Sequence, residues 1–99
     1  MNQITVDQLA ALDHAVVIDV RETDEYADGH VPGARNVPLS QLQDRLDEVP
    51  EGSPVHVICQ SGGRSARATA ALAAHGIDAV DVEGGTSAWI AAGKPIDRS

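Results

Sequence analysis

The most reactive group this chain offers is a sulfur: Cys59, its only cysteine, opens the stretch Cys59-Gln60-Ser61-Gly62-Gly63-Arg64-Ser65. The stretch follows the apolar run Val55-His56-Val57-Ile58 and leads into an alanine-rich segment. A β-branched strand running into a glycine-rich turn and then a helix sets the sulfur where a thiolate is readily stabilised. Consecutive backbone N–H groups in such a turn converge on one point as an anion-binding nest, and glycine permits the positive φ values this requires. The positive end of the following helix acts in the same sense, favouring thiolate over thiol. Arg64 adds a permanent charge and a forked donor set suited to an anionic substrate. A free cysteine at the end of a core strand is otherwise an ordinary small apolar residue. That reading leaves Ser61-Gly62-Gly63-Arg64-Ser65 without a reason. The residues therefore point to cysteine-dependent chemistry, through a thiolate or through a persulfide carried on it.

The elements that hold this sulfur are expected to form one domain over residues 1–99, near the lower size limit for a core without disulfides or metals. A single cysteine makes no internal disulfide, and His14, His30, His56 and His75 are too scattered for a zinc-like ligand set. The start, Met1-Asn2-Gln3-Ile4-Thr5, has no basic segment followed by an apolar one, and no run approaches membrane-spanning length. A soluble cytoplasmic protein with a reduced thiol and no membrane partner is expected. The net charge of −8, with ten aspartates against the single lysine Lys94, argues against a grip on nucleic acid phosphates. The acidity keeps a small domain soluble and makes a basic partner surface the easier complement.

Thr5 precedes an apolar-periodic segment, Val6 to Leu12, that reads as a short capped helix. The continuous apolar run Ala15 to Val20, with an acid near its end, suits a strand buried on both faces of a parallel sheet. Thr23 to Asp28 reads as a helix with Thr23 as N-cap and Asp24 and Glu25 favourable to its dipole. Gly29-His30-Val31-Pro32-Gly33 is a turn cluster, and Ala34 to Val37 a brief strand ended by Pro38. Ser40 is expected to cap a helix whose apolar positions are Leu39, Leu42, Leu46 and Val49, before the break Pro50 to Pro54. After the cysteine strand, Arg64 to His75 has high helix propensity, with Gly76 as its C-terminal stop. Ile77 to Val82 is the next strand, and a last helix runs from Thr86 to Ala92. Strands alternating with helices at this spacing predict an α/β domain with a mostly parallel sheet and helices on both faces. In such sheets the ligand crevice lies at the carboxyl ends of the strands. Asp19, Cys59 and Glu83 all fall near such ends, so one rim is expected to carry them.

Asp19-Val20-Arg21 with Glu25-Tyr26, then Gly29-His30-Val31-Pro32-Gly33-Ala34, then Cys59 with Arg64-Ser65, then Glu83-Gly84-Gly85 with Trp89, resembles a single-domain rhodanese, a thiosulfate sulfurtransferase-like family. The resemblance covers nearly the whole chain. It implies a three-layer rhodanese-like fold around a five-stranded sheet, with no cofactor and no metal. It further implies that Cys59 takes the outer sulfur of a small anionic donor such as thiosulfate and passes it from a persulfide to cyanide, a thiol or a protein acceptor such as thioredoxin. Backbone amides from Gln60, Ser61, Gly62, Gly63, Arg64 and Ser65 would surround the transferred sulfur. Arg64 would orient the donor or hold the loop, and Ser65 would cap the helix. Cysteine phosphatases and arsenate reductases of related shape use a loop one residue wider, so the smaller ring here suits a sulfur atom better than a phosphate. Some members carry a basic residue directly after the cysteine; the neutral Gln60 predicts modest thiosulfate affinity. Rhodanese-like domains also serve as interaction or sulfur-relay modules, a reading that a missing cysteine would have favoured.

Asp19 and Arg21, two apart on an extended chain, point the same way. They read as a support for the cysteine loop, or as a structural ion-pair set such as Arg21 with Glu25. His30, in its glycine-rich turn, reads as structural rather than as a proton donor, and His56 as core or sheet edge. Tyr26 and Trp89 read as packing anchors, and Glu83-Gly84-Gly85 as the turn facing the cysteine loop.

Overall fold

A computed structural model describes residues 2–50 and 52–98. Met1 and Glu51, which fall in the start segment and the chain break considered above, and Ser99 lie outside the described residues. The elements are β1 (Asn2–Ile4), α1 (Val6–Ala10), β2 (Val16–Asp19), α2 (Thr23–Asp28), β3 (Arg35–Asn36), a 3₁₀ helix (Leu39–Glu48), β4 (Val55–Ile58), α3 (Gly63–Ala74), β5 (Ala79–Val82) and α4 (Gly85–Ala91). The strands form one parallel sheet in the order β1-β5-β4-β2-β3. The cysteine strand is therefore central, flanked by β2 and β5.

Side-chain alternation divides the interior into two layers. Val55, Val57 and Cys59 join Ile18, Ala68 and Leu72 on the face covered by α3 and the 3₁₀ helix. Ile58, Val17 and Val82 join Val6, Leu9 and Trp89 on the face covered by α1 and α4. Every residue of β4 is buried, which is why its sequence is a continuous run rather than an alternation. Among the described residues no helix is long and apolar enough to cross a membrane.

Four local features differ from the sequence expectation. β1 was not anticipated: at the sheet edge its residues are exposed or half-buried, so no apolar run announces it, and its register of Ile4 against Val82 is set by the backbone of β5. The segment after Pro38 is a 3₁₀ helix and Ser40 is not its cap; the Ser40 hydroxyl instead donates to the Glu22 carboxylate at 3.2 Å. Its apolar steps explain the geometry. Leu39 to Leu42 and Leu46 to Val49 are three-residue steps, matching a turn of 3₁₀, and the four-residue step between Leu42 and Leu46 contains Arg45, whose φ of −122° kinks the helix. The N-cap of α2 is Glu22 rather than Thr23, with the Glu22 N–H donating to Glu25 Oε1 at 3.1 Å. Helix α1 also stops at Ala10, short of the expected Leu12. Its start is as read: Thr5 accepts from the Gln8 N–H, while Gln8 accepts from the Thr5 N–H.

Candidate active site

Cys59 is the first residue beyond β4, at the carboxyl edge of the sheet, where Asp19 ends β2 and Glu83 follows β5. Its side chain is buried, 1% exposed. Gly62 takes φ 125° before α3 begins at Gly63, a conformation that folds the loop back over the sulfur and favours glycine. The Gly62 N–H donates to Sγ at 3.1 Å, and the Ser65 Oγ lies 3.4 Å from it. Burial pushes the Cys59 thiol up, but hydrogen bonding from the loop, with the N–H groups of Ser65, Gly62 and Ser61 among the donors, outweighs it and leaves the thiol below its ordinary value. Gly62, not Ser65, occupies the N-cap of α3, so Ser65 does not play the capping part expected of it. Its hydroxyl turns inward and donates to Asp81 Oδ1 at 2.6 Å.

The loop is clamped on three sides. From α4, the N–H groups of Thr86 and Ser87 donate to the carbonyls of Cys59 at 2.8 Å and Gln60 at 3.0 Å. This approach requires Gly85, because a Cβ there would stand 2.5 Å from the Cys59 carbonyl oxygen and 2.7 Å from that of Gln60. From α2, Glu25 accepts both arms of Arg64, at 2.6 and 2.8 Å. The Arg64 guanidinium holds the Glu25 carboxyl down at about 2. Of the two parts considered for Arg64, this geometry serves the holding of the loop. From the end of β2 and the residues just after it, Asp19 and Arg21, 0% and 3% exposed, form a forked ion pair, with Nη2 to Oδ2 at 2.9 Å. The Arg21–Glu25 pairing considered from the sequence does not form, because Arg64 takes Glu25 while Asp19 lies on the same side of the extended chain as Arg21.

Arg21 also donates to the Gly29 carbonyl at 2.7 Å and to Gln60 Oε1 at 3.1 Å, linking the buried pair to the residue after the cysteine. Gln60 Nε2 donates to Ser87 Oγ at 2.8 Å, so both ends of its side-chain amide are engaged. Ser61 and Gly63 are exposed on the outside of the loop. His30 is stacked on Tyr26, with ring centroids 3.7 Å apart, and its Nδ1 lies 2.7 Å from the Tyr26 carbonyl, away from the sulfur's hydrogen-bond partners. His56 Nδ1 lies 3.0 Å from the Val16 carbonyl within the sheet, and Trp89 donates to the Pro95 carbonyl. Among the described residues no three His, Cys, Asp or Glu side chains gather as a metal ion would need. Sequence reasoning missed Asp81 and Ser87 as neighbours of the loop. Asp81 was visible as an acid inside an apolar strand, where burial obliges it to find a partner.

A central parallel sheet with a buried thiol beneath a ring of amides at its carboxyl edge defines a cysteine-loop α/β protein. The family model described as the rhodanese-like domain matches residues 5–92. The rhodanese-related protein from Thermoplasma volcanium has the same architecture, with a TM-score of 0.94, 33% identity and coverage of 100% of both chains. The chain is 34% identical over 90 residues to a sulfurtransferase of Allochromatium vinosum, covering 90% of this chain and 84% of that one. It is 43% identical over 76 residues to the uncharacterized protein YqhL of Bacillus subtilis, covering 76% of this chain but only 60% of that protein's length. This chain belongs to the rhodanese-like domain family.

Proposed function

We propose that the chain is a one-domain cytoplasmic sulfurtransferase that carries sulfane sulfur as a persulfide on Cys59. The observation that carries the reading is the Gly62 N–H directed at Sγ from a loop with four residues between Cys59 and Arg64. In the first step the thiolate attacks the outer sulfur of a donor such as thiosulfate; the donor S–S bond breaks and sulfite leaves with its electron pair. The new outer sulfur carries the negative charge, and the amides of Ser61, Gly62 and Ser65 are the donors at hand for it. In the second step cyanide or an acceptor thiolate attacks that sulfur, and Cys59 leaves as the thiolate. Splitting the transfer in two is the advantage of covalent catalysis. A small thiol or a protein thiol such as that of thioredoxin suits the second step, since persulfide sulfur is open to thiolate attack.

The charges around the loop bear on the donor. Arg64 is satisfied by Glu25 and Arg21 by Asp19, so neither guanidinium is free to neutralise a dianion. Modest thiosulfate affinity follows, and a neutral or singly charged persulfide donor fits equally well. The test is steady-state thiocyanate formation from thiosulfate and cyanide. Parallel double-reciprocal lines and complete loss in Cys59→Ser are expected, with no turnover of a phosphate ester. Intersecting lines, or activity surviving in Cys59→Ser, would overturn the persulfide step.

A further inference from the structure

The described residues bury two carboxylates, Asp19 and Asp81. Asp19 is matched by Arg21, whereas Asp81, 3% exposed, enters no ion pair among the described residues. A buried charge without a counter-ion must be held by hydrogen bonds. The hydroxyl of Ser65, itself 0% exposed, is the donor it has. That hydroxyl owns a single proton and stands among three acceptors: Asp81 Oδ1 at 2.6 Å, the Gly62 carbonyl at 3.1 Å and Cys59 Sγ at 3.4 Å. A short bond to an ionised oxygen is the strongest of these. The Ser65 proton therefore points at Asp81, and Ser65 turns a lone pair toward the sulfur. A lone pair accepts the S–H of a thiol but does nothing for a thiolate.

We propose that Asp81, acting through Ser65, is a positioning residue that restrains ionisation of Cys59, because the carboxylate and the sulfur compete for one hydroxyl proton. When the thiol loses its proton to solvent, Ser65 stabilises the thiolate only by turning away from Asp81 and leaving that carboxylate buried without its donor. Loading removes the conflict. In the persulfide Sγ is a bridging, uncharged sulfur and the charge lies one bond further out, so Ser65 stays with Asp81. Asp81 thus biases the site toward the thiol and the loaded persulfide and against the bare thiolate. This inference rests on the reading of Cys59 as the sulfur-carrying nucleophile.

The surroundings leave the competition to these three residues. On either side of β5, Asp78 and Glu83 are exposed. On α3, Arg67 is exposed and Arg64 is committed to Glu25, though close enough for its charge to favour a Cys59 thiolate. On β4, His56 belongs to the opposite face from Cys59, and α4 contains no charged residue. On β1, the residue level with Asp81 is the neutral Gln3. At the end of β2, Asp19 is neutralised by Arg21 just beyond it.

The experiment is a pH titration of thiolate ultraviolet absorbance, taken as the difference from the matching Cys59→Ser protein, for wild type, Asp81→Asn, Ser65→Ala and the double variant. An asparagine is neutral and donates to Ser65 Oγ, freeing the hydroxyl proton for the sulfur. Asp81→Asn should lower the Cys59 midpoint by about one pH unit, the worth of one hydrogen bond to a charged group. In the Ser65→Ala background the same substitution should shift it by a third of that or less. An upward or absent shift in Asp81→Asn, or an equal shift without Ser65, would overturn the proposal, the latter by showing plain charge repulsion. If Asp81→Asn does not fold, Ser65→Ala decides: a midpoint unchanged or lowered supports the competition, and one raised by a unit shows Ser65 already donating to sulfur. Thiolate absorbance needs no sulfur donor, so absence of thiocyanate turnover with the shifts intact would count against the proposed function and leave the competition standing.

Discussion

Gly85→Ala should disable the cysteine loop from beneath. Gly85 has φ 59°, and a Cβ placed on it meets backbone atoms: the Cys59 oxygen at 2.5 Å, the Gln60 oxygen at 2.7 Å and the Gln60 carbonyl carbon at 2.8 Å. Backbone cannot swing aside as a flexible side chain does, so the loop or α4 must move. The left-handed conformation costs an alanine about 1–2 kcal/mol. Forcing a methyl into packed surroundings costs about 1–3 kcal/mol more. The total of about 2–5 kcal/mol is a large part of the 5–15 kcal/mol typical of a domain. Movement also strains the bonds from the Thr86 and Ser87 N–H groups to the Cys59 and Gln60 carbonyls. Gly84→Ala is the control: φ is 75° and its Cβ would meet the Ala88 side chain at 2.6 Å, so it carries a comparable strain without touching the loop. Urea unfolding and iodoacetamide alkylation of the folded proteins separate the two effects. Both variants should lose stability, and Gly85→Ala alone should change the pH profile of alkylation. A Gly85→Ala protein with wild-type midpoint and profile would refute the reasoning.

Glu25→Gln tests the clamp on Arg64. The folded Glu25 carboxyl titrates at about 2 against an ordinary 4.5. Its stabilisation is therefore fully present above pH 4.5 and lost as pH falls toward 2. The shift corresponds to about 3 kcal/mol, which solvent screening of this one-third exposed pair reduces to about 1 kcal/mol. Urea midpoints of wild type and Glu25→Gln should differ at pH 7 and converge near pH 2; a constant gap contradicts the pairing. Asp19→Ala strands Arg21 as a buried cation and should cost about 3–5 kcal/mol. A thermal scan that shows less than 1 kcal/mol would mean the pair is not buried as described. Gln60→Arg should lower KM for thiosulfate, since the neighbouring cations are already paired; an unchanged KM would show that local charge does not limit donor binding.

Much of the fold was legible because the sheet is buried on both faces. The runs Val16–Asp19, Val55–Ile58 and Ala79–Val82 carry their strand character in β-branched residues and their order in the intervening helices. β1 was not, since a short edge strand with two polar residues and one apolar one owes its conformation to its partner. The 3₁₀ helix was misread because three- and four-residue apolar steps look alike over ten residues, and only Arg45 marks the slip. At the site, the sulfur, its glycine turn and the start of the helix behind it lie within seven consecutive residues, so local physics exposes them. The contacts that fix them span the chain. Arg64 reaches Glu25 across 39 positions, Gln60 reaches Ser87 across 27 and Ser65 reaches Asp81 across 16. Tertiary pairing of this kind leaves only a charge in an apolar strand, or a serine in a helix, as its trace in the sequence.

The central claim is that Cys59 carries the sulfur, and the direct measurement is intact mass after thiosulfate and then after cyanide, for wild type and Cys59→Ser. The account predicts a gain of one sulfur atom on wild type alone, lost on cyanide as thiocyanate appears. An unchanged mass in folded, reduced wild type with thiosulfate, mercaptopyruvate and other persulfide donors, or the same gain on Cys59→Ser, would contradict it.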